Sequence, residues 1–125
     1  DNENKNKVVA NIVVPVFEKD NQSSITINAE ALTSDYIVKV TNYKSIDNVN
    51  KEEFTYDVSI QNNTSANVIV KKGKDGKNLM KDSKSTIISG EKLKKSVKEN
   101  VYYYISVDDI NKVKSKEKIL FKIVS

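Results

Sequence analysis

Phe54, Tyr56, Val58 and Ile60 alternate with Thr55, Asp57, Ser59 and Gln61. Successive side chains of a strand point to opposite faces, so a period of two describes a strand with one apolar and one wet face. Such strands belong to antiparallel sheets that lie against a core on one side and water on the other. Tyr36, Val38 and Val40 repeat the pattern against Ile37, Lys39 and Thr41. Ile119, Phe121 and Ile123 repeat it against Leu120, Lys122 and Val124. Residues 101–107, with Tyr102, Tyr103 and Tyr104 in series, are β-branched or aromatic almost throughout and read as a more buried strand. Residues 8–17 are a further apolar stretch, and Pro15 within it has no N–H to give a ladder, which places that segment at an edge or a bulge. Residues 24–30, 67–72 and 85–88 are shorter candidates.

Turn chemistry separates these runs. Asp75-Gly76 is the strongest hairpin cue. Asn62-Asn63-Thr64-Ser65 reads as a loop, residues 45–51 as a polar connection, and Ser89-Gly90 as another turn. Residues 92–97 fit a helical turn or a loop, and Asp108-Asp109-Ile110-Asn111 fits a short turn capped by an Asp. Seven to eight short strands at roughly 8–12-residue spacing, with at most one short helix, define an all-β protein. The architecture expected is an immunoglobulin-like or jelly-roll antiparallel β-sandwich. Residues 1–6 form a polar, disordered tail in this reading, and residues 7–125 a single domain. The core is expected from Val14, Tyr36, Val38, Val40, Phe54, Tyr56, Val58, Ile60, Val68, Val70, Tyr102, Tyr104, Ile119 and Phe121. Tyr102, Tyr103 and Tyr104 offer either an exposed platform that stacks on sugars or bases or a set of core rings; because Tyr102 and Tyr104 share a face on any strand, the expectation is that they pack inward with their hydroxyls at the rim.

The chain has no His, Cys, Trp or Arg, so all its 21 basic residues are Lys. Ser–His–Asp and Cys–His arrangements and ordinary zinc sites cannot be built from such a set. The acidic pairs Glu52-Glu53 and Asp108-Asp109 are adjacent, and neighbours on a strand diverge, so they read as caps and solvated turns. No D-x-D-x-D spacing offers a calcium loop. The reading is of a protein without catalytic residues, metal or cofactor, and not an enzyme. Asn-x-Ser/Thr sequons at Asn21, Asn62 and Asn63 carry no weight in an Asn-rich chain.

The net charge of +4 is uneven. Residues 1–70 hold six Lys against ten acids, residues 71–98 ten Lys against three, and residues 99–125 five against four. Lys71, Lys72, Lys74, Lys77, Lys81 and Lys84 are therefore a candidate basic surface. Bidentate base readout favours Arg, so nucleic acid is not the expected partner; the stretch reads first as a solvated face, one that can also touch anionic wall polymers or lipid headgroups without specificity. No apolar run approaches the ~18 residues of a spanning helix, and the opening without Met is read as a chain cut after a signal or anchor segment.

Residues 35–43 (DYIVKVTNY), 49–60 (VNKEEFTYDVSI) and the opening 8–14 (VVANIVV) resemble small exported Gram-positive surface proteins of the camelysin/TasA-like group. Ala31-Leu32-Thr33-Ser34 stands where that group has a Pro-Gly turn, and no His is present to support the zinc protease activity attached to the camelysin name. The resemblance implies a jelly-roll or immunoglobulin-like sandwich, a location outside the cell or on its surface, and, as in some members, fibres built by donating an N-terminal strand to the next subunit. Val8, Val9, Ile12 and Val14 are the candidate donor strand. The expected function is a non-enzymatic structural or adhesive module whose partner is a further copy of itself or another surface protein. The alternative is a binding module that holds an anionic wall polymer, a glycan or a protein through its Lys-rich face.

Overall fold

The computed structural model describes residues 9–14, 22–42, 53–94 and 99–125, and of residues 13, 14, 42, 53, 54 and 94 the backbone alone. Of the sequence readings, the tail 1–6, Val8, Pro15, Asn21, the connection 45–51, Glu52 and residues 95–97 lie outside the described residues, as do the side chains of Val14 and Phe54. Eight strands are described: β1 (Ala10–Val14), β2 (Gln22–Asn28), β3 (Tyr36–Asn42), β4 (Glu53–Asn63), β5 (Val68–Lys72), β6 (Ser85–Lys94), β7 (Asn100–Val107) and β8 (Lys118–Val124). Helical structure among the described residues is limited to two single 3-10 turns, Ala29–Ala31 and Ile110–Lys112. The second is capped as expected, the Asp109 carboxylate accepting from Asn111 N.

The strands form two four-stranded sheets in the orders β1-β3-β7-β5 and β2-β8-β4-β6. Odd-numbered strands make the first sheet and even-numbered strands the second, so the chain changes sheet at every connection. The result is an all-β sandwich. One pairing departs from the antiparallel expectation: β1 runs parallel to β3, with Ala10 opposite Val38 and Ile12 opposite Val40.

Alternation places the inner faces. Tyr56, Val58 and Ile60 of β4, Ile119, Phe121 and Ile123 of β8, and Val38 and Val40 of β3 are buried between the sheets. Each large side chain so buried stabilises by ~1.5–3 kcal/mol before the entropy of ordering it is charged. On β7 the parity is opposite to expectation. Tyr103 and Ile105 are the fully buried residues, and Tyr102 and Tyr104 lie partly exposed on the outer face. Val101, Tyr103, Ile105 and Val107 form the more apolar set of alternate positions on this strand, and burying that set leaves Ser106 on the same outer face as Tyr102 and Tyr104. Tyr36, expected in the core, packs at its margin and is half-buried.

Two turn readings also change. Ser89-Gly90 does not end a strand. Tyr56 pairs with Glu91 and Val58 with Ile88, so Ser89 and Gly90 together oppose Asp57 in a β-bulge within β6. Gly90 has φ +73°, in the left-handed region, and its N–H donates to the Asp57 carboxylate (3.0 Å). Asp75-Gly76 does reverse the chain, but the returning segment does not become β6. Gly76 N donates to the Gly73 carbonyl, Leu79 N to the Val70 carbonyl, and Asn78 bridges to Lys71. The returning residues therefore cap the free edge of β5 before the chain crosses to the other sheet. The Asn62-Asn63 pair closes β4 rather than opening a loop.

Candidate functional site

The bulge in β6 has a chemical consequence. A strand with no bulge alternates strictly, so Ile88 and Glu91, three residues apart, would face opposite ways; the inserted residue turns both inward. Glu91 consequently reaches the rim of the core. It pairs with the Lys72 ammonium and accepts from the Tyr103 hydroxyl at 3.4 Å. The Tyr103 hydroxyl lies 3.1 Å from that of Tyr56. The chain Tyr56–Tyr103–Glu91–Lys72 thus ties the two sheets together from β4, β7, β6 and β5. Burial pushes the Tyr56 phenol up to about 12, the Tyr103 hydrogen bond opposing the shift and the Glu91 charge adding to it. Burial, the adjacent Tyr56 and Glu91 push Tyr103 further in the same direction. Both phenols stay protonated at neutral pH, and the network joins the two sheets.

Of the carboxylates flagged in sequence, Asp108 is held in backbone and side-chain bonds, and Glu117, outside the flagged pairs, is held in the same way. Asp108 accepts from Asn67 N (3.0 Å) and Asn67 Nδ2 (3.1 Å), bonds that with the nearby Lys112 hold its carboxyl below the usual value. Glu117 accepts from Lys114 N, Ser65 N and Ser65 Oγ, and is lowered by the same kind of bonding. Among the described residues no three His, Cys, Asp or Glu side chains come together as a metal site.

The six candidate lysines do not converge on one rim. Lys71 and Lys72 are neighbours on β5 and point to opposite faces. Lys72 is engaged with Glu91, and Lys84 Nζ donates to the Thr64 carbonyl (2.9 Å). Lys74 is exposed in the turn. Lys77 and Lys81 flank a depression of about 500 Å³ floored by Leu79 and Ile88, beside the exposed Ile87 of edge strand β6.

Lys71 belongs to a different group, built on the two tyrosines that the sequence reading places in the core. On the outer face of the first sheet the register sets Lys71, Tyr104 and Ile37 in one cross-strand row. The next row holds Tyr102 and Lys39. On the β5 side of Tyr102 the neighbour is Gly73, whose N–H donates to the Tyr102 carbonyl (2.8 Å) and which contributes no side chain. Ile37 faces outward and is still only 4% exposed, so this face has a covered apolar floor. The apolar parity of Val101, Tyr103, Ile105 and Val107 is the signal that would have found it.

Of the candidate donor strand, Ile12 is buried against the core and Val9 is 51% exposed, its N–H donating to the Ile37 carbonyl (3.2 Å). Strand order leaves β1 at the edge, with β3 as its neighbour in the sheet.

The fold and these surfaces define the chain as a two-sheet β-sandwich. No family model, no curated protein and no solved structure matches it.

Proposed function

We propose that this chain is a non-enzymatic structural or adhesive module of a Gram-positive cell surface, and that it joins further copies of itself by strand addition. The observation that supports the reading is the placing of β1. It is a five-residue edge strand that runs parallel to β3 and inserts Ile12 into the core. Among the described strands β1 pairs with β3 alone, and a segment held along one side is the part of a sandwich most readily exchanged between copies. Backbone hydrogen bonds to β3 supply affinity, and the Ile12 pocket supplies register. The His- and Cys-free composition and the resemblance of residues 8–14, 35–43 and 49–60 to exported camelysin/TasA-like proteins agree with it.

Because the chain has no Cys, strand exchange can be trapped cleanly. Asn11 and Lys39 are register partners. Asn11→Cys protein mixed with Lys39→Cys protein is expected to give a disulfide-linked pair under mild oxidation, and deleting residues 1–14 to abolish multimers seen by light scattering. Multimers that persist after the deletion, or a mixture that forms no cross-link, would refute the reading.

A further inference from the structure

The two outer faces of the sandwich are built differently. On the second sheet, Ser24 and Thr26 of β2 stand in register with Lys122 and Leu120 of β8, which stand in register with Ser59 and Gln61 of β4. Ser59 is also in register with Ile87 of β6, which is 63% exposed, so this face is polar apart from Leu120, Val124 and Ile87 and carries no aromatic ring among the described residues. The first sheet instead carries two partly exposed tyrosines in line on β7, with the buried Ile37 beside Tyr104 and one lysine on either flank. Lys71 stands beside Tyr104 on the β5 side, and Lys39 beside Tyr102 on the β3 side.

We propose that this face binds an extended, carboxylate-bearing polysaccharide, with Tyr102 and Tyr104 stacking on sugar rings and Lys39 and Lys71 pairing with the carboxylates. The rings of residues i and i+2 are spaced by about 6.8 Å along the strand, so they meet successive units of a chain molecule laid along β7. Tyrosine suits the task because an apolar ring face and a hydroxyl serve the two sides of a sugar. Gly73 leaves the β5 flank of Tyr102 open, which gives the chain molecule a way past the end of β5. The lysines lie on opposite flanks of the tyrosine line, and each is a point charge on a flexible stem, which complements acidic groups that alternate from side to side. The proposal is independent of strand addition, because β3 separates β7 from β1.

The test is titration calorimetry of the full chain with oligogalacturonate, with a neutral cello-oligosaccharide and single-stranded oligo(dT) as rival probes. Oligogalacturonate binding is expected to weaken about tenfold in each of Tyr102→Ala and Tyr104→Ala, the scale of one stacking contact. The Phe variants at both positions are expected to retain most of the affinity, which separates loss of stacking from loss of fold. Lys39→Gln with Lys71→Gln should flatten the salt dependence, and Lys118→Gln with Lys122→Gln on the opposite face should leave binding unchanged. No binding of oligogalacturonate, equal binding of the neutral sugar, or tighter binding of oligo(dT) lost in the same Tyr variants would overturn the proposal.

Discussion

The hydroxyl oxygens of Tyr56 and Tyr103 lie 3.1 Å apart between the sheets, the first on β4 and the second on β7. Both side chains are essentially fully buried, and the Tyr103 ring also packs at a tilt on Phe121, centroids 5.6 Å apart. Tyr103→Phe removes the hydroxyl that joins Tyr56 to Glu91 and strands the Tyr56 hydroxyl in the core. A buried polar group left without its partner costs about 1–3 kcal/mol. Tyr56→Phe leaves Tyr103 its bond to Glu91 and should cost less. Urea unfolding of both single variants and the double variant closes the cycle, with a coupling of about 0.5 kcal/mol or more expected for directly bonded groups. Strict additivity would show that the two hydroxyls do not interact.

Alkali should unfold the protein through the same pair. Below about pH 10, the ordinary phenol value, folded and unfolded chains both keep these protons and the contribution to stability is whole. Above it the unfolded chain releases them, and the folded chain holds that of Tyr56 up to about 12 and that of Tyr103 beyond. The unfolded state then binds fewer protons, so stability falls as pH rises. Tm measured from pH 8 to 12 should drop above about pH 10, and drop less in the Tyr56→Phe, Tyr103→Phe double variant. Phenolate absorbance from all six tyrosines near pH 10 with the β signal of circular dichroism intact would contradict the assignment.

Asn62 organises the β4–β5 corner. Its Nδ2 donates to the Ala66 (2.7 Å) and Ser83 (2.8 Å) carbonyls, and its Oδ1 accepts from Thr64 N (2.9 Å) and Thr64 Oγ1 (2.6 Å). Asn62→Ala should cost about 2–3 kcal/mol, because it abandons several buried polar groups at once. Asn62→Asp should cost more, since an oxygen would then face the two carbonyls. Thermal melts rank the two, and a variant at the parent's Tm would show that water replaces the side chain without loss.

Two glycines should differ in kind. A Cβ on Gly90 meets nothing within 4 Å, so Gly90→Ala is charged only for its left-handed backbone, about 1–2 kcal/mol. A Cβ on Gly76 would lie 2.5 Å from the Lys72 carbonyl oxygen, and backbone has to move. Gly76→Ala should therefore disturb the turn that caps β5, visible as faster amide exchange at Leu79, which Gly90→Ala should leave unchanged.

Period-two alternation made β3, β4 and β8 legible, together with most of their inward residues, because one wet and one dry face leave the same mark in any sheet. The mark weakens where both parities are bulky. Tyr102, Tyr103 and Tyr104 offered a ring to either face, and the choice lay with Val101, Ile105 and Val107 around them. Gly90 announced a left-handed residue without saying whether it ended a strand or bulged one, since both uses need the same φ. The pairing of Glu91 with Tyr103 followed from that bulge and was hidden with it. The parallel course of β1 depends on which sheet receives each strand, and a local pattern carries no such information.

Changing sheet at every connection also sets how the molecule must come into being. Among the described strands no two consecutive ones pair, so apart from the short reversal at residues 73–79 the ladders are all non-local, and the β2–β8 ladder joins the beginning of the fold to its end. Loop entropy is spent on both layers before either one repays it, which places refolding in the slow range of about milliseconds to seconds. The two layers should then gain protection from hydrogen exchange together, as one cooperative unit with no separable half.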